Sequence, residues 1–188
     1  MRTKDIAVII LAAGQSSRFG AEKIHHYLDT GKSILNTCIE QYQKSFTNIS
    51  VVLSANDQAE KIITEQGVNV VVSGHSIKGM SQSIISGVQS QNDASAWLIA
   101  LADMPYVKPE TLSSLAIKAT FNTIVVPVCG HRNGNPVIFG RDFYNQLISL
   151  KGDIGAKQVI KDNFSLVLKV PVDDHGVLLD IDRPEDIL

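Results

Sequence analysis

Short apolar runs alternate with amphipathic stretches along most of the chain. Ile6–Leu11 is apolar at all six positions, the pattern of a strand covered on both faces. Ile49–Ser54, Val68–Ser73, Trp97–Ala102 and Ile124–Val128 read the same way. Between them the spacing predicts helices over about residues 34–44 with Ser33 as cap, 57–66 stopped by Gly67, 80–90, and 109–119 with Pro109 in the first turn. Strand and helix in alternation predict an open α/β sheet, mostly parallel.

The rhythm changes after residue 128. Residues 129–135 read as a polar, Gly-rich loop, 136–139 as a short strand and 141–150 as a helix. A helix over about 155–161 follows, then strands over 165–172 and 178–182, then the start of a final helix that Leu188 would cut short. Two late strands with little helix between them predict an antiparallel insertion in the parallel sheet. The 188 residues carry no repeat, linker or low-complexity stretch, which predicts one domain over 1–188.

Composition narrows the function classes. Hydrophobic content of 44% with 19% charged residues is that of a folded rather than a disordered chain. A net charge of −2 without any Lys/Arg block argues against a nucleic-acid or anionic-membrane surface. No apolar run reaches spanning length and no leader-like segment precedes Ile6, so a cytoplasmic protein is expected. Cys38 and Cys129 have neither metal-ligand nor disulfide spacing and are expected to be free thiols.

The chemistry concentrates in residues 11–23, Leu-Ala-Ala-Gly-Gln-Ser-Ser-Arg-Phe-Gly-Ala-Glu-Lys. A loop opening on Ala12, Ala13 and Gly14 lets backbone N–H groups approach an anion closely. Ser16, Ser17, Arg18 and Lys23 add two hydroxyls, a guanidinium fork and a mobile ammonium, an inventory suited to a triphosphate. Walker and dinucleotide glycine patterns are both absent. Asp103 stands at the end of the fourth predicted strand, where an open α/β sheet faces its ligand crevice. It suits either a Mg²⁺ ligand on nucleotide phosphates or a cap of the turn before Pro105. Asp180 and Asp182 fall on one face of the last predicted strand. Ser81 and Ser83 lie in the first turn of the helix after Gly79, placed either for a base or ribose edge or for plain capping.

Residues 11–23 resemble, position by position, the Leu-Ala-Ala-Gly-x-Ser-x-Arg-x-Gly-x-x-Lys signature of the nucleotidyltransferases. The likeness is nearest to their molybdenum-cofactor branch, the MobA-like NTP transferase domains, and within it to the cytidylyl-transferring members. Leu101–Pro105 is similar to that family's Leu-x-Asp-x-Pro metal site, and residues 180–186 to its Asp-Ile-Asp-x-Pro-Glu-Asp. Gly79–Ile84 is similar to its Gly-Met-Gly-x-Ser-Leu, with Ser81 in place of the inner glycine. Residues 130–137 and 152–156 resemble its Gly-Arg-x-Gly-x-Pro-Val and Gly-Asp-x-Gly-Ala segments, which face the second substrate.

The resemblance implies a three-layer Rossmann-like nucleotidyltransferase fold. It also implies an enzyme that moves a nucleoside monophosphate from an NTP to the phosphate of molybdopterin or Mo-molybdopterin, releasing pyrophosphate. Arg18, Lys23 and Asp103 would be catalytic. Leu11, Ala12, Ala13, Gly14, Ser16, Arg18, Lys23, Ser81, Ser83 and Asp103 would hold the nucleotide, with backbone groups of 11–13 at the base edge. Mg²⁺ would bind Asp103 and Asp182, with Asp180 as fallback and Asp186 at a helix start. His131, Arg132 and Asn135 would meet the acceptor, although their loop also reads as a plain hairpin connection. His25 and His26, where relatives carry apolar residues, read as surface histidines. Guanylyl-transferring relatives carry Leu-Ala-Gly-Gly, so Ala13 points to CTP. A transient contact with a molybdoenzyme would deliver the product. Two other readings stand beside this one: a sugar or polyol phosphate acceptor such as methylerythritol phosphate, and a non-catalytic cofactor-delivery protein. Retention of Arg18, Lys23, Asp103 and Asp182 together argues against the second.

Overall fold

The computed structural model describes residues 1–13, 23–55, 63, 66–74, 79–153 and 155–188. The strands are β1 (Ile6–Leu11), β2 (Ile49–Ser54), β3 (Asn69–Ser73), β4 (Ala96–Leu101), β5 (Ile124–Cys129), β6 (Arg132–Asn133), β7 (Val137–Gly140) and β8 (Val167–Pro171). The described helices are α1 (Ile34–Gln43), α2 (Met80–Ser90), α3 (Pro109–Lys118), α4 (Tyr144–Ile148) and α5 (Lys157–Asp162), with 3₁₀ turns between them. Most of the helix predicted over 57–66 lies outside the described residues; Ile63 within it is fully buried.

The eight strands form one sheet in the order β3-β2-β1-β4-β7-β5-β6, with β8 on the other edge of β5. The chain lays β2 and β3 outward from β1, then returns to place β4 on the opposite edge of β1. Such a reversal opens a crevice at the carboxyl ends of the two central strands. Parallel pairing from Ile6↔Ala96 to Leu11↔Leu101 brings those ends level, and the Ala102 N–H donates to the Leu11 carbonyl at 3.1 Å just beyond.

Alternate residues of β1 serve opposite cores. Ile6, Val8 and Ile10 pack with Leu35, Ile39 and Tyr42 of α1 and Leu112 and Leu115 of α3. Ala7, Ile9 and Leu11 pack with Ile84 and Val88 of α2, Phe143 and Leu147. A central strand with both faces covered needs an apolar residue at every position, which explains its uninterrupted run. Three layers result. Gly87 lets α2 lie close on the sheet: a Cβ there would overlap Ile9 Cγ2 and stand 3.0 Å from Val52 Cγ2.

The predicted antiparallel insertion is present as β7, between β4 and β5 and antiparallel to both. The strand at 165–172 is instead parallel to β5. No strand forms over 178–182, which follows the 3₁₀ turn His175–Leu178. β4 already has β1 on one edge and, as far as Ile99, β7 on the other, so no free edge of ladder length remains there. The helix expected over 141–150 begins as a 3₁₀ turn, Arg141–Phe143, before α4. The final helix is a single 3₁₀ turn, Pro184–Asp186, after which Ile187 is extended. Among the described residues no helix is long and apolar enough to cross a membrane.

Candidate active site

Three side chains from distant parts of the chain meet at the carboxyl edge of the sheet. Asp103 follows β4 by two residues, and its carbonyl accepts the Ile181 N–H at 2.9 Å. That bond pins the C-terminal segment over the end of β4. Ile181 is buried with Leu28 and Ile34, so its neighbours Asp180 and Asp182 are left toward solvent and the crevice. Behind Asp182, the Asp186 Oδ2 accepts the N–H groups of Asp182 at 2.9 Å and Arg183 at 2.8 Å, fixing the backbone. Lys23, in the 3₁₀ turn Lys23–His25, brings its ammonium between the two carboxylates. Its Nζ donates to Asp103 Oδ2 at 2.7 Å and to Asp182 Oδ1 at 3.2 Å.

The Lys23 side chain is 11% exposed, that of Asp103 23% and that of Asp182 45%. Burial works against the ammonium, but hydrogen bonds and charge from Asp103, then Asp182, outweigh it and hold the lysine above its ordinary pKa. The other Asp103 oxygen, Oδ1, is buried with no hydrogen-bond partner among the described residues. An orphaned carboxylate oxygen is costly and invites a cation. Mg²⁺ that arrives with a nucleotide is held by one or two carboxylates, substrate phosphates and water, and this donor set fits that pattern. It does not fit an all-protein cage: no group of three or more His, Cys, Asp or Glu side chains is gathered among the described residues. Cys38 lies below, with its Sγ 3.6 Å from the Leu101 carbonyl, and burial first, then the Asp103 charge, push its thiol far up.

Beside this cluster opens a pocket of about 340 Å³, a small-molecule size. Its walls mix apolar side chains, Ile99 and Leu101 of β4, Phe139 of β7 and Ile84 of α2, with polar groups that include Arg132, Asn135, Lys157 and Asp180. Asp103 and Asp182 are one and two residues from its lining residues Met104 and Asp180. Arg132 belongs to the β5–β6 hairpin, turned at Gly130–His131 with Gly130 at φ +61. The loop is thus a hairpin, and its returning strand faces the pocket. His131 sits at the exposed tip and does not line it. The Asn135 N–H donates to the Val177 carbonyl at 2.9 Å, and a cis bond joins Asn135 to Pro136.

At the end of β1, the Leu11 side chain lines the pocket while its carbonyl is used by Ala102; the Ala12 N–H donates to Val52 at 2.9 Å. Ala13 is half-buried. Ser81 and Ser83 are buried in the first turn of α2, and Ser81 Oγ has no hydrogen-bond partner among the described residues. Gly14, Ser16, Ser17 and Arg18 lie outside the described residues. His25 is half-buried and His26 exposed. Sequence reasoning did not single out Lys157, although it directly follows the Gly-Asp-x-Gly-Ala segment.

The model of the MobA-like NTP transferase domain matches residues 8–168. The chain belongs to that family. It is a nucleotidyltransferase. The purine catabolism protein PucB of Bacillus subtilis is 27% identical over 99% of this chain and 96% of its own length. A probable molybdenum cofactor guanylyltransferase of Pyrococcus horikoshii is 27% identical over 95% of each. Among solved structures, the Mycobacterium sp. strain JC1 homologue of Rv0371c superposes with a TM-score of 0.82 at 25% identity, covering 99% of this chain and 94% of that one. Rv0371c of Mycobacterium tuberculosis, crystallised with manganese, shares the fold at a TM-score of 0.76 and 23% identity, covering 96% and 95%.

Proposed function

We propose that this MobA-like nucleotidyltransferase transfers CMP from CTP to the phosphate of a molybdopterin-type acceptor and releases pyrophosphate. The observation that supports it best is Lys23 held between Asp103 and Asp182, beside a pocket whose lining combines apolar side chains with Arg132 and Lys157. The likeness to the Pyrococcus protein over nearly the whole of both chains supports the acceptor class. An acceptor phosphate is already ionised and needs no general base, so the protein's task is alignment and charge neutralisation.

In this reading the NTP lies over the carboxyl ends of β1 and β4. Gly14, Ser16, Arg18 and Lys23 hold its phosphates, Ala13 and its neighbours meet the base, and Ser81 and Ser83 meet the ribose or base edge. Asp103 and Asp182 would hold a divalent cation, Mg²⁺, which lowers the barrier by neutralising charge on the transferring phosphoryl group. Lys23 moves from the carboxylates toward the phosphates, joining Arg18 against charge on the leaving pyrophosphate. Arg132 and Asn135, with Lys157, orient the acceptor; His131, outside the pocket, would act only on a ligand that extends beyond it. Hand-over of the product to a molybdoenzyme completes the reading.

A second reading, GTP as donor, is favoured by the same Pyrococcus relative, a guanylyltransferase by name. One pyrophosphate-release assay crossing CTP, GTP, ATP and UTP with molybdopterin and methylerythritol phosphate decides among them. Buried polar groups left unmatched by a wrong base cost about 1–3 kcal/mol each, so CTP is expected to win by tenfold or more, with Ala13→Gly narrowing the margin. A GTP preference moves the protein to the guanylyl branch. Turnover with methylerythritol phosphate alone removes the molybdopterin assignment.

A further inference from the structure

The first turn of α2 is capped from a distant part of the chain. Its N-cap residue, Gly79, has φ +96 and offers no side-chain cap, so the early N–H groups of the helix need outside partners. Asp153 supplies one: its Oδ1 accepts the Met80 N–H at 2.8 Å, across 73 residues of sequence. The fit on both sides depends on glycine. A Cβ on Gly79 would stand 2.8 Å from Asp153 Oδ1 and 3.0 Å from its Cα, and one on Gly155, at φ +62, would stand 2.8 Å from Met80 Sδ. Met80 and Ile84 of α2 line the same pocket as Gly155, Ala156 and Lys157. Two walls of one pocket are therefore tied by a charge-assisted bond.

Asp174 makes a useful contrast. Its carboxylate also caps a helix from afar, accepting from the Lys108 N–H at 2.9 Å and Thr111 Oγ1 at 2.7 Å, but it is 1% exposed and also accepts the Gly176 N–H. That is a core staple. Asp153 is exposed and binds a helix whose first turn carries the buried Ser81 and Ser83.

We propose that Asp153 is a positioning residue: it sets the nucleotide-side end of α2 against the acceptor-side wall, so that the two substrate sites are coupled through this tie. The inference rests on the nucleotidyltransferase reading of Ser81 and Ser83 given above. Asp153→Ala removes the acceptor oxygen; Asp153→Asn keeps one where Met80 N–H needs it. In the alanine variant, amide hydrogen exchange over residues 80–83 is expected to quicken roughly tenfold, with the asparagine variant close to wild type. The dissociation constants of CTP and GTP with Mg²⁺, by calorimetry, are expected to rise roughly two- to thirty-fold in Asp153→Ala, the range of a lost helix cap. KM for the nucleotide should rise more than kcat falls, and the asparagine variant should recover most of the loss.

Unchanged exchange in Asp153→Ala overturns the tie. Faster exchange with unchanged nucleotide affinity overturns the positioning role. An asparagine variant as defective as alanine shows that the charge acts on ligand directly, which also overturns it. Wild-type protein that binds neither nucleotide removes the functional reading and the coupling with it, a result visible before any variant is made.

Discussion

Replacing Asp103 by Asn separates the chemistry of the site from its stability. The substitution keeps the side-chain shape and an oxygen for the Lys23 ammonium, but it removes the charge 2.7 Å from Nζ. Exposed ion pairs are worth about 0.2–1 kcal/mol, and breaking fully buried ones costs about 3–5. At 11% and 23% exposure this pair lies between. Asp182 remains 3.2 Å from the ammonium and takes up part of the loss. A stability loss of about 1–2 kcal/mol follows, and at about 2–4 °C per kcal/mol the melting temperature falls by only a few degrees.

The effect on turnover is of another size. In the proposed mechanism the variant loses a carboxylate that would hold the cation, and removing one charge-stabilising contact from a transition state typically costs about a hundredfold to a thousandfold. The assay is pyrophosphate release at saturating nucleotide with Mg²⁺, and again with Mn²⁺, together with melting temperature and Mn²⁺ affinity by electron paramagnetic resonance. The variant is expected to lose at least a hundredfold in rate, to bind Mn²⁺ more weakly, and to remain folded at the assay temperature. A near wild-type rate refutes the assignment. So does a rate loss that vanishes once corrected for the folded fraction, because Asp103 would then be structural.

Lys23→Met should lower turnover by about a hundredfold to a thousandfold, and it should destabilise the fold by leaving two carboxylates facing each other; full activity would show that the ammonium never reaches the phosphates. Because folding raises the pKa of Lys23, its contribution is fully present below the unfolded value of 10.5 and is lost as pH rises through the higher folded value. The stability gap between wild type and Lys23→Met should therefore hold steady from pH 7 to about 10 and close only above it; a gap that closes below pH 9 contradicts the arrangement. Asp174→Ala leaves three donors without their acceptor and should cost about 2–4 kcal/mol in urea unfolding, with turnover per folded molecule unchanged. A cost under 1 kcal/mol would mean that water replaces the carboxylate.

The parallel half of the fold was legible because its signals are local. A buried central strand has to be apolar at every position, and Ile6–Leu11 is. The helix starts at Ser33 and Pro109 carry their own punctuation, and α1 opens with the Asn36 N–H on Ser33 Oγ at 3.1 Å. The missed strand over 178–182 fails for a reason that no local pattern contains. Leu-Asp-Ile-Asp alternates like a strand, but a strand also needs a neighbour with a free edge, and that is decided by β7 some forty residues earlier. Lys157 was missed on similar grounds, as an exposed charged residue without periodicity. Asp153 was named only as part of the Gly-Asp-x-Gly-Ala segment, and nothing around Gly79 announces that its cap comes from residue 153.

The same topology explains how the tail enters the site. β7 inserts antiparallel beside β4 and runs only from Gly140 opposite Ala96 to Val137 opposite Ile99. The last residues of β4 project beyond it toward the crevice, too few for another ladder. The C-terminal segment consequently passes over the end of β4 and makes one backbone bond to it, Ile181 N–H to the Asp103 carbonyl. The buried isoleucine and this hydrogen bond, with Asp186 holding the N–H groups of Asp182 and Arg183, set the register, and register decides which carboxylate meets Lys23. With Ile181 turned into the core, Asp182 meets the ammonium and Asp180 lines the pocket. A slip of one residue would bury a carboxylate without a partner, at a cost of several kcal/mol, and that penalty keeps Asp182 in place. The pairing of Asp103 and Asp182 on Lys23 is thus a consequence of how the sheet is closed at β4, and motif order along the chain could indicate those residues without revealing what brings them together.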